Sequence, residues 1–409
     1  MKTQLSLALL PVAAVVTILT ASCGGGANPD ARSTVPSSTL FTLDHNRMIV
    51  EVELDRPDGS RRTARAWVDT GNQFLIVAEE LALDIGLDRS ALDQTDVSRP
   101  LETSSPAPPV FLGGSPLNVD GVAVQVTRGS RVWAGVPADM NLPASVFRDL
   151  HVVFDYPQRR LTVAETGQVQ SVGLEVPCRI HPETGLFQVA ATIDGNAVEL
   201  GVDTGSVGTW LSADLTRAAG EQHPDWPQAI GAVGSVNFFG FPFESGGTLM
   251  RLPEIRIGAV HADEIAVLGL DRRLFDWYSM KSAAPVVGIL GANVLRGFRL
   301  EVDYPSQMSY WQPGPPLEPT DLDIVGLTLR PEADGSYTVA GVVQRDGVLT
   351  VKGVEPGDTL RRIGSLETHG ASMGTVIEAL RGMPGESRRL VVERGGERIE
   401  VEAVVTRFP

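Results

Sequence analysis

Trp67-Val68-Asp69-Thr70-Gly71-Asn72 and Gly201-Val202-Asp203-Thr204-Gly205-Ser206 place an Asp-Thr-Gly tripeptide behind an apolar residue twice in one chain, 134 positions apart (203 − 69). The duplication extends outward from that loop. Phe154-Asp155-Tyr156-Pro157 is matched by Val302-Asp303-Tyr304-Pro305, 148 positions on (303 − 155), and each follows an arginine, Arg148 or Arg296. Gly113-Gly114 stands 44 positions after Asp69, and Gly246-Gly247 stands 43 after Asp203. Order and approximate spacing are kept, so the sequence predicts two related lobes with a junction near residues 166–171. Short apolar runs punctuated by Gly, Pro, Asp and Asn make both lobes mainly β, with one helix expected in the first lobe near residues 78–87.

The repeated loop has a chemical logic. Asp offers a short acid held on the backbone, Thr a β-branched hydroxyl able to brace an opposite loop, and Gly a backbone with no Cβ in the way of close approach. Two carboxylates held about 3 Å apart cannot both ionise, so they share a proton. One can then act as base on a water while the other polarises a carbonyl. A lone Asp-Thr-Gly would read as a polar turn; two in duplicated contexts do not.

Composition bounds the rest. The 409 residues suggest two or three domains, and 43% apolar with 21% charged residues fits a folded globular chain. A formal charge of −16, with Lys and Arg scattered, would repel a phosphate backbone and argues against nucleic acid as a partner. The six histidines form no HExxH pattern and no Cys/His cluster exists, so neither a metal nor another cofactor is expected.

Residues 1–22 read as an export signal: a Lys2 start, an apolar stretch too short for a comfortable span, then small residues. Leu19-Thr20-Ala21-Ser22-Cys23 resembles a bacterial lipoprotein signal, in which Cys23 would be lipidated, and Gly24 after it favours the outer membrane facing the periplasm. The alternative is an ordinary cleaved signal with an incidental Cys23. Residues 23–38 form a tether poor in anything to bury. With Cys23 so used only Cys178 remains, and no intramolecular disulfide is possible.

The paired Asp-Thr-Gly loops, together with Ile289-Leu290-Gly291, resemble aspartic peptidases of the retropepsin and pepsin kind. The resemblance covers most of residues 40–312. It implies a bilobal acid-protease β-barrel fold, lobes at 39–166 and 167–312, and Asp69 and Asp203 as a catalytic pair acting on a peptide or protein substrate. It further implies support of that pair from Thr70, Gly71, Asn72, Thr204, Gly205 and Ser206, and places Gly113-Gly114 and Gly246-Gly247 on flaps. Two departures stand out: Asn72 where Ser, Thr or Ala is usual, and Pro143 at the position matching Gly291 (291 − 148), after Asn141-Leu142. The run Phe238-Phe239-Gly240-Phe241-Pro242-Phe243 reads equally as a hydrophobic subsite or as core packing.

Residues 313–322, beginning Pro313-Gly314-Pro315-Pro316, read as a linker. Residues 323–409 resemble a bacterial PDZ domain, an α+β unit, most clearly at Val354-Glu355-Pro356-Gly357-Asp358. That resemblance implies a peptide groove between a strand at 338–343 and a helix at 372–381, with a carboxylate loop near 333–336. The expected whole is an aspartic endopeptidase of the bacterial cell envelope, lipid-anchored and carrying a PDZ module that recruits or positions substrate. The rival is a peptide-binding scaffold lipoprotein on the same fold without turnover.

Overall fold

The computed structural model describes residues 36–87, 101–102, 106–127, 133–317 and 319–409. The export signal, Cys23 and the first part of the tether lie outside the described residues. The molecule is mainly β, and its first strand, Ser37–Asp44, begins inside the stretch read as tether.

Each half contains a tight hairpin whose turn the sequence dictates. Ser37–Asp44 and Arg47–Asp55 pair with Asp44 opposite Arg47, leaving a two-residue turn. His45 and Asn46 both take positive φ there (48° and 65°), the mirror-image turn whose twist suits a hairpin. In the second half Phe187–Ile193 and Asn196–Val202 turn through Asp194-Gly195 in the same way (φ 48° and 76°).

Each half then runs a strand up to its aspartate beside a parallel neighbour. Arg61–Asp69 pairs with Met140–Pro143, with Asp69 opposite Pro143. Asn196–Val202 pairs with Gly288–Leu290, with Val202 opposite Leu290. The chain leaves both loops alike: Ala144 N donates to Asn72 O and Ala292 N to Ser206 O, each at 2.8 Å. The donors are 148 positions apart (292 − 144) and the acceptors 134 (206 − 72), the offsets of the two repeats, so Pro143 occupies the place of Gly291 without disturbing the register.

The halves are stitched by His151–Asp155 against Phe298–Asp303, antiparallel, with His151 opposite Asp303 and Asp155 opposite Arg299. The two Asp-Tyr-Pro repeats therefore leave this strand pair at opposite ends. Asp155 caps its own turn by accepting from Gln158 N (3.0 Å), and Asp303 accepts from Thr166 Oγ1 (2.7 Å). Between these strands His151 Nε2 meets Glu301 Oε2 at 2.9 Å in a fully buried pair.

The C-terminal unit is a sheet in the order Leu327–Pro331, Tyr337–Val342, Thr359–Ile363, Ser387–Arg394, Glu397–Val404, with the helix Met373–Leu380. Ser372 Oγ caps the helix by accepting from Thr375 N at 3.2 Å. The core of this unit, including Leu327, Leu329, Tyr337 and Leu360, is continuous with Trp210, Val233, Leu249 and Phe275 of the second half. One expectation is corrected here. The strand Tyr337–Val342 has neighbours along both edges, Leu327–Pro331 on one and Thr359–Ile363 with the turn at Asp358 on the other, and so offers no open edge to a peptide.

Candidate active site

The two Asp-Thr-Gly loops meet. Thr204 Oγ1 donates to Val68 O at 2.9 Å and Thr70 Oγ1 donates to Val202 O at 3.2 Å. The same hydroxyls accept from the opposite backbone, Thr70 Oγ1 from Thr204 N (3.0 Å) and Thr204 Oγ1 from Thr70 N (3.2 Å). Four reciprocal bonds between buried groups fix the loops relative to each other. The glycines let the carboxyls close in: a Cβ on Gly71 would overlap the Asp203 carboxyl, and one on Gly205 would overlap that of Asp69 while lying 3.1 Å from Asp203 Oδ1.

Asp69 and Asp203 are 9% and 8% exposed, and both carboxyls face the Gly205 Cα, close enough for each to shift the other's titration. Burial and then the charge of Asp203 hold Asp69 well above the usual carboxylate range. Burial also raises Asp203, against which the amides of Gly205, Ser206 and Gly71 favour its ionised form. Gly205 N donates to Asp203 Oδ1 at 2.7 Å and Gly71 N, from the other loop, at 3.0 Å. The pair therefore titrates jointly, with the Gly205 and Gly71 amides gathered at Asp203.

The fourth loop positions do something else. Asn72 Oδ1 accepts from Phe74 N and its Nδ2 donates to Phe74 O, both at 3.2 Å, while Ser206 Oγ donates to Gly208 O at 2.7 Å. Neither side chain is spent on a carboxylate. A residue read only as part of a departure from pattern lies nearer: Asn141 Oδ1 accepts from Ile76 N (2.6 Å), and its amide nitrogen, without a partner at hydrogen-bonding distance, lies near enough to Asp69 to favour its charge.

Asp69 and Asp203 sit in a cavity of about 400 Å³ whose other walls are aromatic, among them Trp67, Trp210, Phe238, Phe241 and Tyr278. Phe238 packs edge-on against Trp210 at 5.0 Å and against Trp67 at 6.3 Å. At the cavity edge the Lys281 ammonium lies 4.1 Å from the Trp277 ring, and burial lowers its pKa. The aromatic run thus both lines this cavity and packs against Trp67 and Trp210. Two larger cavities, of about 660 and 650 Å³, lie where the C-terminal unit meets the first half, and neither contains the carboxyl pair.

The glycine pairs lie elsewhere. Gly113 and Gly114, at φ 57° and 87°, make the tight turn between Val110–Leu112 and Ser115–Pro116, and Gly113 is pressed against Ser37 and Ser38. Gly246 and Gly247 join the short helix Pro242–Ser245 to the strand Thr248–Ile257, against Leu268. Neither pair lines the carboxyl cavity. Among the described residues no cluster of His, Cys, Asp and Glu could hold a metal ion. Cys178 is buried, and burial pushes its thiol up to about 12, which leaves it unreactive.

Neither a protein-family model nor a curated protein matches this chain. Among solved structures, an aspartic proteinase from Irpex lacteus is similar at 13% identity, over 68% of this chain and 98% of that one, with a TM-score of 0.42. A likeness that distant carries no argument for what this chain does.

Proposed function

We propose that the chain is an aspartic endopeptidase acting on peptides with large apolar side chains at the scissile bond. The observation that carries this reading is that the reciprocally bonded Asp-Thr-Gly loops bring the Asp69 and Asp203 carboxyls together, both buried, on the wall of an aromatic-rich cavity. Asp203, surrounded by amide donors, is the base that takes a proton from a water. The carboxyl of Asp69, kept protonated by burial and by its neighbour's charge, donates to the substrate carbonyl oxygen. Water adds to the carbonyl carbon to give a gem-diol. The proton gathered at Asp203 passes to the leaving nitrogen, and the C–N bond breaks as a gem-diol hydroxyl returns its proton to Asp69 and the C=O re-forms, with no covalent intermediate. Since burial raises the pair, the upper limb of activity moves from acid toward neutral pH.

The C-terminal unit is PDZ-like in this reading. Val325-Gly326-Leu327 has the apolar-Gly-apolar form of a carboxylate loop and leads into the strand Leu327–Pro331. The protein works outside the cytoplasm, held to the envelope through Cys23. The test compares wild type, Asp69→Asn and Asp203→Asn on a peptide library between pH 3 and 8. Cleavage by wild type alone supports the reading. Equal cleavage by all three sinks the carboxyl pair, and binding without cleavage by any favours a scaffold.

A further inference from the structure

The strand Leu327–Pro331 is paired along one edge by Tyr337–Val342, and no strand lies along its other edge among the described residues. That edge is nevertheless spent. Asn237, fully buried, accepts at Oδ1 from Leu329 N (2.8 Å) and donates from Nδ2 to Leu329 O (3.1 Å). These are the two bonds an adjacent strand would make to one residue of an edge. Thr328 Oγ1 donates to Ala232 O at 2.7 Å and accepts from Ala232 N at 3.2 Å. Gly240, at φ 64°, passes so close that a Cβ would overlap Leu329 O. Residues 232–240 of the second half thus lie along the edge where a peptide strand would add.

The same segment carries the aromatic wall. Glu244, fully buried, accepts from the amides of Phe238 (2.7 Å), Phe239 (3.0 Å) and Phe241 (3.1 Å), and also from Asn237 Nδ2 (3.2 Å). Asn237 O accepts from His45 Nε2 at 2.6 Å. Burial and then Arg47 depress His45 to about 3, so its ring is neutral and Nε2–H is the donor. Arg47 Nη2 donates to Phe238 O at 2.9 Å, its guanidinium 5.1 Å from the Phe238 and Phe239 ring centres. One short irregular segment is therefore bonded to both halves and to the C-terminal unit, and its rings border the carboxyl cavity.

We infer that Asn237 is the joint through which the C-terminal unit fixes the aromatic wall beside Asp69 and Asp203, making that unit part of the substrate-binding site. The inference rests on the reading of this cavity as the peptide site and deepens it. Asn237 and Glu244 are positioning residues: they touch the backbone that carries Phe238, Phe239 and Phe241. A peptide adding to the Leu327–Pro331 edge has to displace the Asn237 carboxamide, so occupancy of that edge and order in the wall oppose each other.

The test uses the full chain with Asp203→Asn, and measures by calorimetry the binding of a peptide isostere with a Phe-Phe hydroxyethylene core. Adding Asn237→Ala, which deletes both bonds to Leu329 and one to Glu244, is expected to weaken binding about tenfold. It should also shift tryptophan emission to the red as Phe238 loosens from Trp67 and Trp210. Thr328→Val, on the same seam but away from the wall, is expected to lower the melting temperature while leaving affinity within about twofold. The inference is overturned if Asn237→Ala changes neither affinity nor emission, or if Thr328→Val weakens binding as much. Failure of the parent protein to bind the isostere overturns the peptide-site reading alone, since the emission of Asn237→Ala still decides whether Asn237 holds the wall.

Discussion

Thr70 and Thr204 exchange places across the molecule: each hydroxyl donates to a carbonyl of the other's strand, Val202 or Val68, and accepts from the other's amide. Thr204→Val keeps the volume but deletes the donor to Val68 O and leaves Thr70 N buried without an acceptor. The expected cost is about 2–4 kcal/mol in urea unfolding, from two buried polar groups left unsatisfied. Because the bonds are mutual, Thr70→Val with Thr204→Val should cost less than the sum of the two. Strict additivity would mean that the four bonds do not act as one unit.

Gly71 and Gly205 are tested by the smallest possible insult. Their φ values are ordinary, so alanine brings no backbone strain, only a methyl group in the space of Asp203 or Asp69. Gly71→Ala and Gly205→Ala are expected to fold yet lose about a hundredfold in kcat/KM, the scale of an ångström misplacement at the reacting centre. Folded, fully active variants would show that the carboxyls need not be this close.

The buried pair also sets a pH dependence of stability with a definite sign. Asp69 and Asp203 both have folded pKa values raised by burial, so the folded state binds protons more tightly than the unfolded one. Their contribution is fully present below the unfolded carboxylate pKa of about 3.9 and is lost as pH rises through the folded values. Asp203→Asn keeps an oxygen for the Gly71 and Gly205 amides while removing one charge. It is expected to be more stable than wild type at pH 7, the advantage shrinking toward pH 4. Parallel urea midpoints across that range would remove the linkage.

Legibility in the sequence followed the range of the interactions. The two lobes and the meeting of Asp69 with Asp203 could be read because the repeated Asp-Thr-Gly and Asp-Tyr-Pro runs are local signals. Pro143 looked like damage because its consequence is a hydrogen bond. In the second half Gly291 N donates to Thr209 Oγ1 at 3.2 Å. The first half has Leu75 at the position matching Thr209 (209 − 134) and a proline with no N–H to place, so acceptor and donor are missing together. Asn237 and Glu244 gave no signal at all: a buried amide bonded 92 residues away has no local pattern. The glycine pairs matched in spacing but not in role, since only Gly113-Gly114 takes the positive φ of a tight turn.

Glu301 supplies the opposite pH dependence. Burial alone would raise it, but the bond from His151, the Val172 amide (2.9 Å) and Arg299 together lower its pKa. A depressed folded pKa stabilises above the unfolded value of about 4.3 and is lost as pH falls through the folded one. The strand pair His151–Asp155 and Phe298–Asp303 is therefore an acid-sensitive seam in a molecule whose carboxyl pair favours acid. Glu301→Gln, which leaves His151 without a carboxylate inside that seam, is expected to lose about 3–5 kcal/mol at pH 7. It should then lose less further stability than wild type between pH 4 and 2, with the wild-type and variant curves converging as Glu301 takes up its proton. Urea midpoints along that series check it, and curves that stay a constant distance apart would place the acid sensitivity elsewhere.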